Sequence, residues 1–269
     1  MKAFFKIGAL LLVLLTAGIL PGRADVVPLT RVHAHNDYEH RHPLFDALDQ
    51  GFCSVEADIN LVNGELLVAH NTNEVDPKKT LQSLYLDPLR KRIKANGGRV
   101  YKDGPECTLL IDFKTEAKPT YEALMKVLTQ YRDILTIFRG DEKAPNAITV
   151  ILTGNYPRKL LAAEKERLAA GDGKVPDLTS NPPANLVPWI SEHWTSFFKW
   201  RGRDPMPPDE LKTLQKIIRE AHEQGRKVRF WGSPDNPYFW KFMLEQGVDL
   251  INTDDLKGFQ KFYNGVDPI

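Results

Sequence analysis

Residues 53–70 read Cys-Ser-Val-Glu-Ala-Asp-Ile-Asn-Leu-Val-Asn-Gly-Glu-Leu-Leu-Val-Ala-His, and the rest of the chain is arranged around them. Val55, Ala57 and Ile59 alternate with Glu56 and Asp58, the period of a β-strand. Asn63-Gly64 is a hairpin turn signal, because both residues tolerate positive φ, and Leu66–Val68 bring the chain back to His70. Glu56 and Asp58 project to one face of the strand, where two carboxylates repel each other unless a cation offsets the cost. The turn type decides where His70 points. A two-residue loop pairs position 70 with Ala57 and turns His70 away from the acids. A three-residue loop, Val62-Asn63-Gly64 bulged at Gly64, pairs Leu61 with Glu65 and brings His70 opposite Glu56. The bulged form is expected; an edge hairpin with both acids in solvent is the bland alternative.

Residues 1–24 carry Lys2 and Lys6, an apolar run over Ala9–Leu20, and small residues at Gly22 and Ala24. This is the pattern of a cleaved signal peptide, with a run short for a membrane span. An exported protein cleaved near Ala24 is expected, with residues 25–269 forming one domain. The formal charge is +1, from 36 basic and 35 acidic residues, which supplies no bulk field for nucleic acid. The two cysteines, Cys53 and Cys107, each lie five residues before an acid, on strands read as neighbours. Export permits a bridge between them, and two reduced thiols packed under helices are the alternative.

Short apolar runs alternate with amphipathic helices along the chain. Strands are expected at Arg31–His35, at the 53–70 hairpin, at Cys107–Phe113, Ala147–Leu152, Gly173–Leu178, Leu186–Ile190, Lys227–Trp231 and Asp249–Ile251. Helices are expected at Pro43–Leu48, Thr80–Ala95, Thr120–Phe138, Arg158–Ala169, Pro208–Gln224 and Tyr238–Glu245, with a last one opened by Asp254-Asp255. This alternation predicts an α/β fold, a (β/α)₈ TIM barrel with a β-hairpin inserted after strand 2; a doubly wound sheet is the alternative. Polar residues follow the strands: His35, Asp58, Asp112, Thr153, His193, Trp231 and Asn252. In a barrel these positions share one mouth.

Asp112 ends the strand that follows the hairpin and so arrives beside Glu56 and Asp58. Three carboxylates without a cysteine or histidine shell describe a site for a hard cation, Mg²⁺ or Ca²⁺. Lys114 shares the face of Asp112 and either serves a phosphate oxygen or simply pairs with that acid. His35 and His70 flank the acids from two strands. Such a pair can act as general base and general acid across a metal-bound phosphodiester. Asn36 contacts metal or phosphate, or merely forms the turn, and His33 either orients His35 or packs the barrel floor. Tyr38, Trp194, Phe197, Phe198 and Trp200 form either an apolar lip at a membrane surface or packing in long loops.

His35-Asn36-Asp37-Tyr38, Ser54-Val55-Glu56-Ala57-Asp58 and Gly64–His70 together resemble the phospholipase C-like phosphodiesterase superfamily. That superfamily includes glycerophosphodiester phosphodiesterases, sphingomyelinase D-type enzymes and phosphatidylinositol-specific phospholipase C. The nearest likeness is to its "altered inheritance of mitochondria" branch. Leu110–Lys114, Arg229–Gly232 and Leu250–Asp255 extend the resemblance over nearly the whole mature chain. It implies His35 and His70 as the acid–base pair, Glu56, Asp58 and Asp112 as ligands of Mg²⁺ or Ca²⁺, and Lys114 and Trp231 on the substrate side. Small-molecule or lipid phosphodiesters are the implied substrates. Two departures leave the head group open. Glycerophosphodiesterases usually have His-Arg-Gly where this chain has His35-Asn36-Asp37. Asp112 resembles the sphingomyelinase D type, where the others commonly have Glu. For a substrate with a neighbouring hydroxyl, cleavage through a cyclic phosphate and direct attack by water both stay open.

Two other readings compete. His33-Ala34-His35 matches the two-histidine opening of metal-dependent amidohydrolases, with His193 and Asp254 as later ligands of Zn²⁺. That reading leaves Glu56, Asp58 and Asp112 without a role. A non-catalytic phosphate- or lipid-binding barrel is the other, and the histidine pair argues against it.

Overall fold

The computed structural model describes residues 26–265; the proposed signal segment lies outside them. The strands in chain order are β1 (Val32–Ala34), β2 (Ser54–Val62), β3 (Glu65–Val68), β4 (Cys107–Phe113), β5 (Ile137–Arg139), β6 (Glu142–Ala144), β7 (Ile148–Gly154), β8 (Glu166–Arg167), β9 (Ala170–Gly173), β10 (Trp189–His193), β11 (Lys227–Trp231) and β12 (Leu250–Thr253). The helices are α1 (Phe45–Asp49), α2 (Asp87–Ala95), α3 (Ala117–Thr129), α4 (Arg158–Ala163), α5 (Asp177–Ser180), α6 (Pro208–Glu223), α7 (Pro237–Glu245) and α8 (Leu256–Asn264). Parallel strands run β1-β12-β11-β10-β9-β7-β4-β2, and the ring closes where Ala34 of β1 pairs with Val55 of β2. This is a (β/α)₈ barrel. No helix among the described residues is long and apolar enough to cross a membrane.

β2 has both parallel and antiparallel partners. Ser54–Ile59 pair in parallel with Thr108–Phe113 of β4, while Ile59–Val62 pair antiparallel with Val68–Glu65 of β3. The hairpin therefore rises from the barrel strand that carries the acids. Its turn is the two-residue form rather than the bulged one: Val62 pairs with Glu65, and Asn63 and Gly64 have φ of 51° and 85°. That twist matches the strands without a bulge. His70 nevertheless reaches the acids. β3 ends at Val68, and Asn60 Nδ2 donates to the Ala69 carbonyl at 2.7 Å, so strand alternation no longer governs position 70.

The alternation of β4 explains the two cores. Leu109, Ile111 and Phe113 face the helices, in the main core with Leu124 and Leu128 of α3. Each such side chain contributes about 1.5–3 kcal/mol on burial. Leu110 faces inward, where it meets Ile151, Ala170, Trp189 and Leu250, with Phe138 joining from a small β6-β5-β8 sheet. Further along the same strands the interior turns polar: His33, Glu56, Asp58, Asp172, Ser191, Arg229 and Asn252 are all buried.

Four expected elements are placed differently, one of them the strand expected at Leu186–Ile190, which lies at Trp189–His193. The helix expected over Thr120–Phe138 ends at Thr129, and residues 137–139 form β5, whose Phe138 is taken by the inner cluster. The helix expected over Arg158–Ala169 stops at Ala163, because Arg167 belongs to β8, paired to Phe138. The strand expected at Gly173–Leu178 is instead Ala170–Gly173, and Asp177–Ser180 form a helical turn. β9 is rich in glycine, so propensity does not mark it; closure of the barrel does. Gly171 is needed there, since a Cβ would fall 2.3 Å from the Tyr156 hydroxyl.

Cys53 and Cys107 are buried free thiols against each other, and burial and that contact push the Cys107 thiol up. Trp194, Phe198 and Trp200 are buried: Phe198 packs on Trp194 and Phe230, and Trp194 and Trp200 pack on Phe239, while Phe197 is exposed. Most of the anticipated apolar lip is thus loop packing.

Candidate active site

The parallel register sets Asp58 beside Asp112, with Glu56 two residues back on the same face of β2. Glu56, Asp58 and Asp112 each offer a carboxylate oxygen, and these atoms all lie within 4.8 Å of one another. Asp112 reaches this position over Gly154, at the end of β7. Gly154 has φ 71°, and a Cβ there would fall 1.8 Å from Asp112 Oδ1.

Asp58 is the centre of the cluster. Its Oδ2 accepts from Tyr38 Oη at 2.6 Å and from Lys114 Nζ at 2.9 Å, and lies 3.0 Å from His70 Nδ1. Its Oδ1 is buried with no hydrogen-bond partner. Burial, then the like charges of Glu56 and Asp112, push its pKa up to about 6. Glu56 is also buried, which disfavours ionisation, yet the His33 hydrogen bond and Arg229 hold it down at about 2. An anionic pair this close with one bare buried oxygen fits a hard divalent cation held by Glu56, Asp58 and Asp112.

Two imidazoles join the acids in one cavity. His35 Nδ1 lies 2.8 Å from Asp254 Oδ1, and His70 Nδ1 lies 3.0 Å from both Asp58 Oδ2 and Tyr38 Oη. Each ring thus has Nδ1 tied down, which leaves Nε2 for proton transfer. His35, Asn36, Glu56, His70, Asp112 and Lys114 line one cavity of about 530 Å³, closed on its far side by Thr153, Lys174, Arg229 and Trp231. Asn36 adopts left-handed backbone (φ 48°) and its Oδ1 accepts from Tyr38 Oη at 3.0 Å. Lys114 pairs with Asp112 at 2.7 Å as well as with Asp58.

All eight residues expected at the site are therefore brought together, seven of them lining the cavity and Asp58 just beneath it. The amidohydrolase geometry is absent. His33 is fully buried, with Nε2 3.1 Å from Glu56 and Nδ1 2.8 Å from Ser54 Oγ, and burial and Arg229 push its pKa down to about 4. His193 packs on Trp231, and Asp254 serves His35. Sequence reading missed Tyr38, Arg229 and Lys174. Arg229 had a signal: Lys227, Arg229 and Trp231 alternate on one face of β11, so placing Trp231 at the mouth puts Arg229 inside.

The loop that carries His35 and Tyr38 hangs on Asp37. This buried carboxylate accepts from Leu44 N at 2.6 Å and Tyr85 Oη at 2.8 Å, and holds Leu44 at φ 66°. Burial outweighs these bonds and raises its pKa to about 7. A raised carboxyl makes the folded state hold its proton longer than the unfolded chain. Its contribution is complete below the unfolded value of about 3.9 and is lost as pH rises through 7. The wild type should thus lose stability relative to Asp37→Asn between pH 4 and 7 in denaturant melts. Parallel profiles for the two proteins would contradict this.

The backbone fold is shared with solved phosphodiesterase barrels. A glycerophosphodiester phosphodiesterase from Agrobacterium tumefaciens superposes with TM-score 0.52 at 16% identity, over 88% of this chain and 100% of that one. A phosphodiesterase from Oleispira antarctica, in complex with the product sn-glycerol-3-phosphate, gives 0.52 at 16% identity over 88% and 98%. The fold is thus that of solved phosphodiesterase barrels. Within that fold, the chain belongs to the AIM6-like phosphodiesterase family, whose domain matches residues 22–169. "Altered inheritance of mitochondria protein 6" of Eremothecium gossypii is 33% identical over 274 residues, covering 88% of this chain and 70% of that one. The homolog from Arthroderma benhamiae is 30% identical over 271 residues, covering 88% and 85%.

Proposed function

We propose that this protein hydrolyses phosphodiesters of the glycerophosphodiester or (lyso)phospholipid head-group class, using Mg²⁺ or Ca²⁺ held by Glu56, Asp58 and Asp112. The observation that carries the reading is the bare, buried Asp58 Oδ1 in a trio of carboxylates, with two tethered imidazoles in the same cavity. The sn-glycerol-3-phosphate bound by the Oleispira enzyme supports the substrate class. When bound, a divalent ion neutralises phosphoryl charge and fixes the phosphorus for in-line attack.

The protein's own groups do the rest. Lys114 leaves its carboxylates to meet a phosphate oxygen. One imidazole takes the proton of the attacking hydroxyl at Nε2, and the other gives a proton to the departing alkoxide. Asp254 and the Asp58–Tyr38 pair hold the two rings in register. Water is one nucleophile; where the substrate carries a neighbouring hydroxyl, the same pair yields a cyclic phosphate. We place the reaction outside the cytoplasm, on the signal-like pattern of residues 1–24.

The test is phosphorus NMR of glycerophosphodiesters and lysophospholipids incubated with the protein. Turnover should vanish in EDTA, return with Mg²⁺ or Ca²⁺, and stay absent in Asp58→Asn with either ion. Turnover that survives EDTA, or no hydrolysis of any diester, would overturn the reading.

A further inference from the structure

We propose that Lys174 and Trp231 form a second anion subsite beside the scissile phosphodiester, so that the preferred substrate carries an additional phosphate or carboxylate rather than a quaternary ammonium. The inference rests on the phosphodiesterase reading of the same cavity and names its substrate class.

Lys174 directly follows β9 and Trp231 ends β11; both line the cavity that holds the acids. Lys174 is exposed, and its Nζ donates to the Ser191 carbonyl at 2.9 Å rather than to a carboxylate. An ammonium has three N–H donors, so two remain for an acceptor in the cavity. Lys114, paired with Asp58 and Asp112, is assigned to the scissile phosphate, and Arg229 is held by Glu56 and Asn252. Asp172, two residues before Lys174, is buried, with Thr153 Oγ1 bound to it at 3.1 Å. Lys174 is thus the cation in this wall left for a second anion.

Trp231 fixes the sign of that ligand. A choline head group would need an indole face free of other cations. Here Lys174 Nζ lies 5.9 Å from the Trp231 ring centre, and the His193 ring packs on the same indole at 4.4 Å and 83°. A quaternary ammonium entering this corner meets a like charge already seated on the ring. An anion meets a charge-assisted donor with an aromatic wall behind it.

Three soluble diesters separate the cases: glycerophosphocholine, glycerophosphoglycerol and glycerophosphoinositol 4-phosphate. In the wild type, kcat/KM should favour the last over the first by about tenfold or more, the usual scale for one charge-assisted contact. Lys174→Met should erase the preference and Lys174→Arg should keep it. Calorimetric binding of the same three compounds to His35→Ala should show the same order without turnover. If the diesters are cleaved with choline preferred, or Lys174→Met slows all three alike, the subsite falls and the hydrolase reading stands. If nothing is cleaved but the anionic compound still binds through Lys174, the reverse holds. Failure of both binding and turnover overturns both.

Discussion

Replacing His35 by alanine lowers kcat on any cleaved diester by roughly 10²–10⁴-fold, the range for losing one general acid or base. His70→Ala does the same. Both rings line the cavity that holds the acids, and each has Nδ1 held by a carboxylate. On the proposed mechanism, removing either breaks a proton path that the other does not replace. The double variant should cost little more than the worse single one, because acid and base act as a unit. The loss should fall in kcat rather than KM, and the unfolding midpoint should barely move, since the His35 side chain is 23% exposed and that of His70 50%. Single variants that keep more than about a tenth of wild-type kcat would remove the imidazoles from the chemistry.

The largest stability effect belongs to Arg229→Met, with a loss of about 3–5 kcal/mol expected in urea melts in EDTA, the scale for stripping one partner from a buried ion pair. Arg229 is 3% exposed. Its Nη1 lies 3.5 Å from Glu56 Oε2 and donates to Asn252 Oδ1 at 3.0 Å, while Nε donates to Ser191 Oγ at 3.1 Å. Methionine fills the space but leaves Glu56 charged and buried with only His33 to answer it. Glu56→Gln in the Arg229→Met background should return part of the loss, a coupling that double-mutant cycles read directly. A loss below about 1 kcal/mol would mean that His33 alone satisfies Glu56.

Much of the site could be read before any coordinates, because it lies on strands whose alternation is regular. Glu56, Asp58 and Asp112 follow from period two and parallel register, and Cys107–Phe113 is the observed strand to the residue. What was hidden depends on contacts distant in sequence. The position of His70 was anticipated for the wrong reason: the turn is the plain two-residue one, and it is the break at Val68 that frees the ring. Lys174 went unseen because β9 is marked by barrel closure rather than by an apolar run. Asp254 reads as the opener of the last helix or as a Zn²⁺ ligand, and only the closed ring shows that it belongs to His35.

Barrel closure has a consequence for how the protein is made. β1 and β2 meet through the single pair Ala34–Val55, whereas β1 lies along β12 through Val32–Ala34. The first strand to leave the ribosome is therefore fixed mainly by the last. Until residues 250–254 emerge, β1 lacks β12 as a neighbour and His35 lacks Asp254. A nascent chain would carry a complete acid trio before β12 and Asp254 are in place, so any turnover should appear only once that strand has left the ribosome.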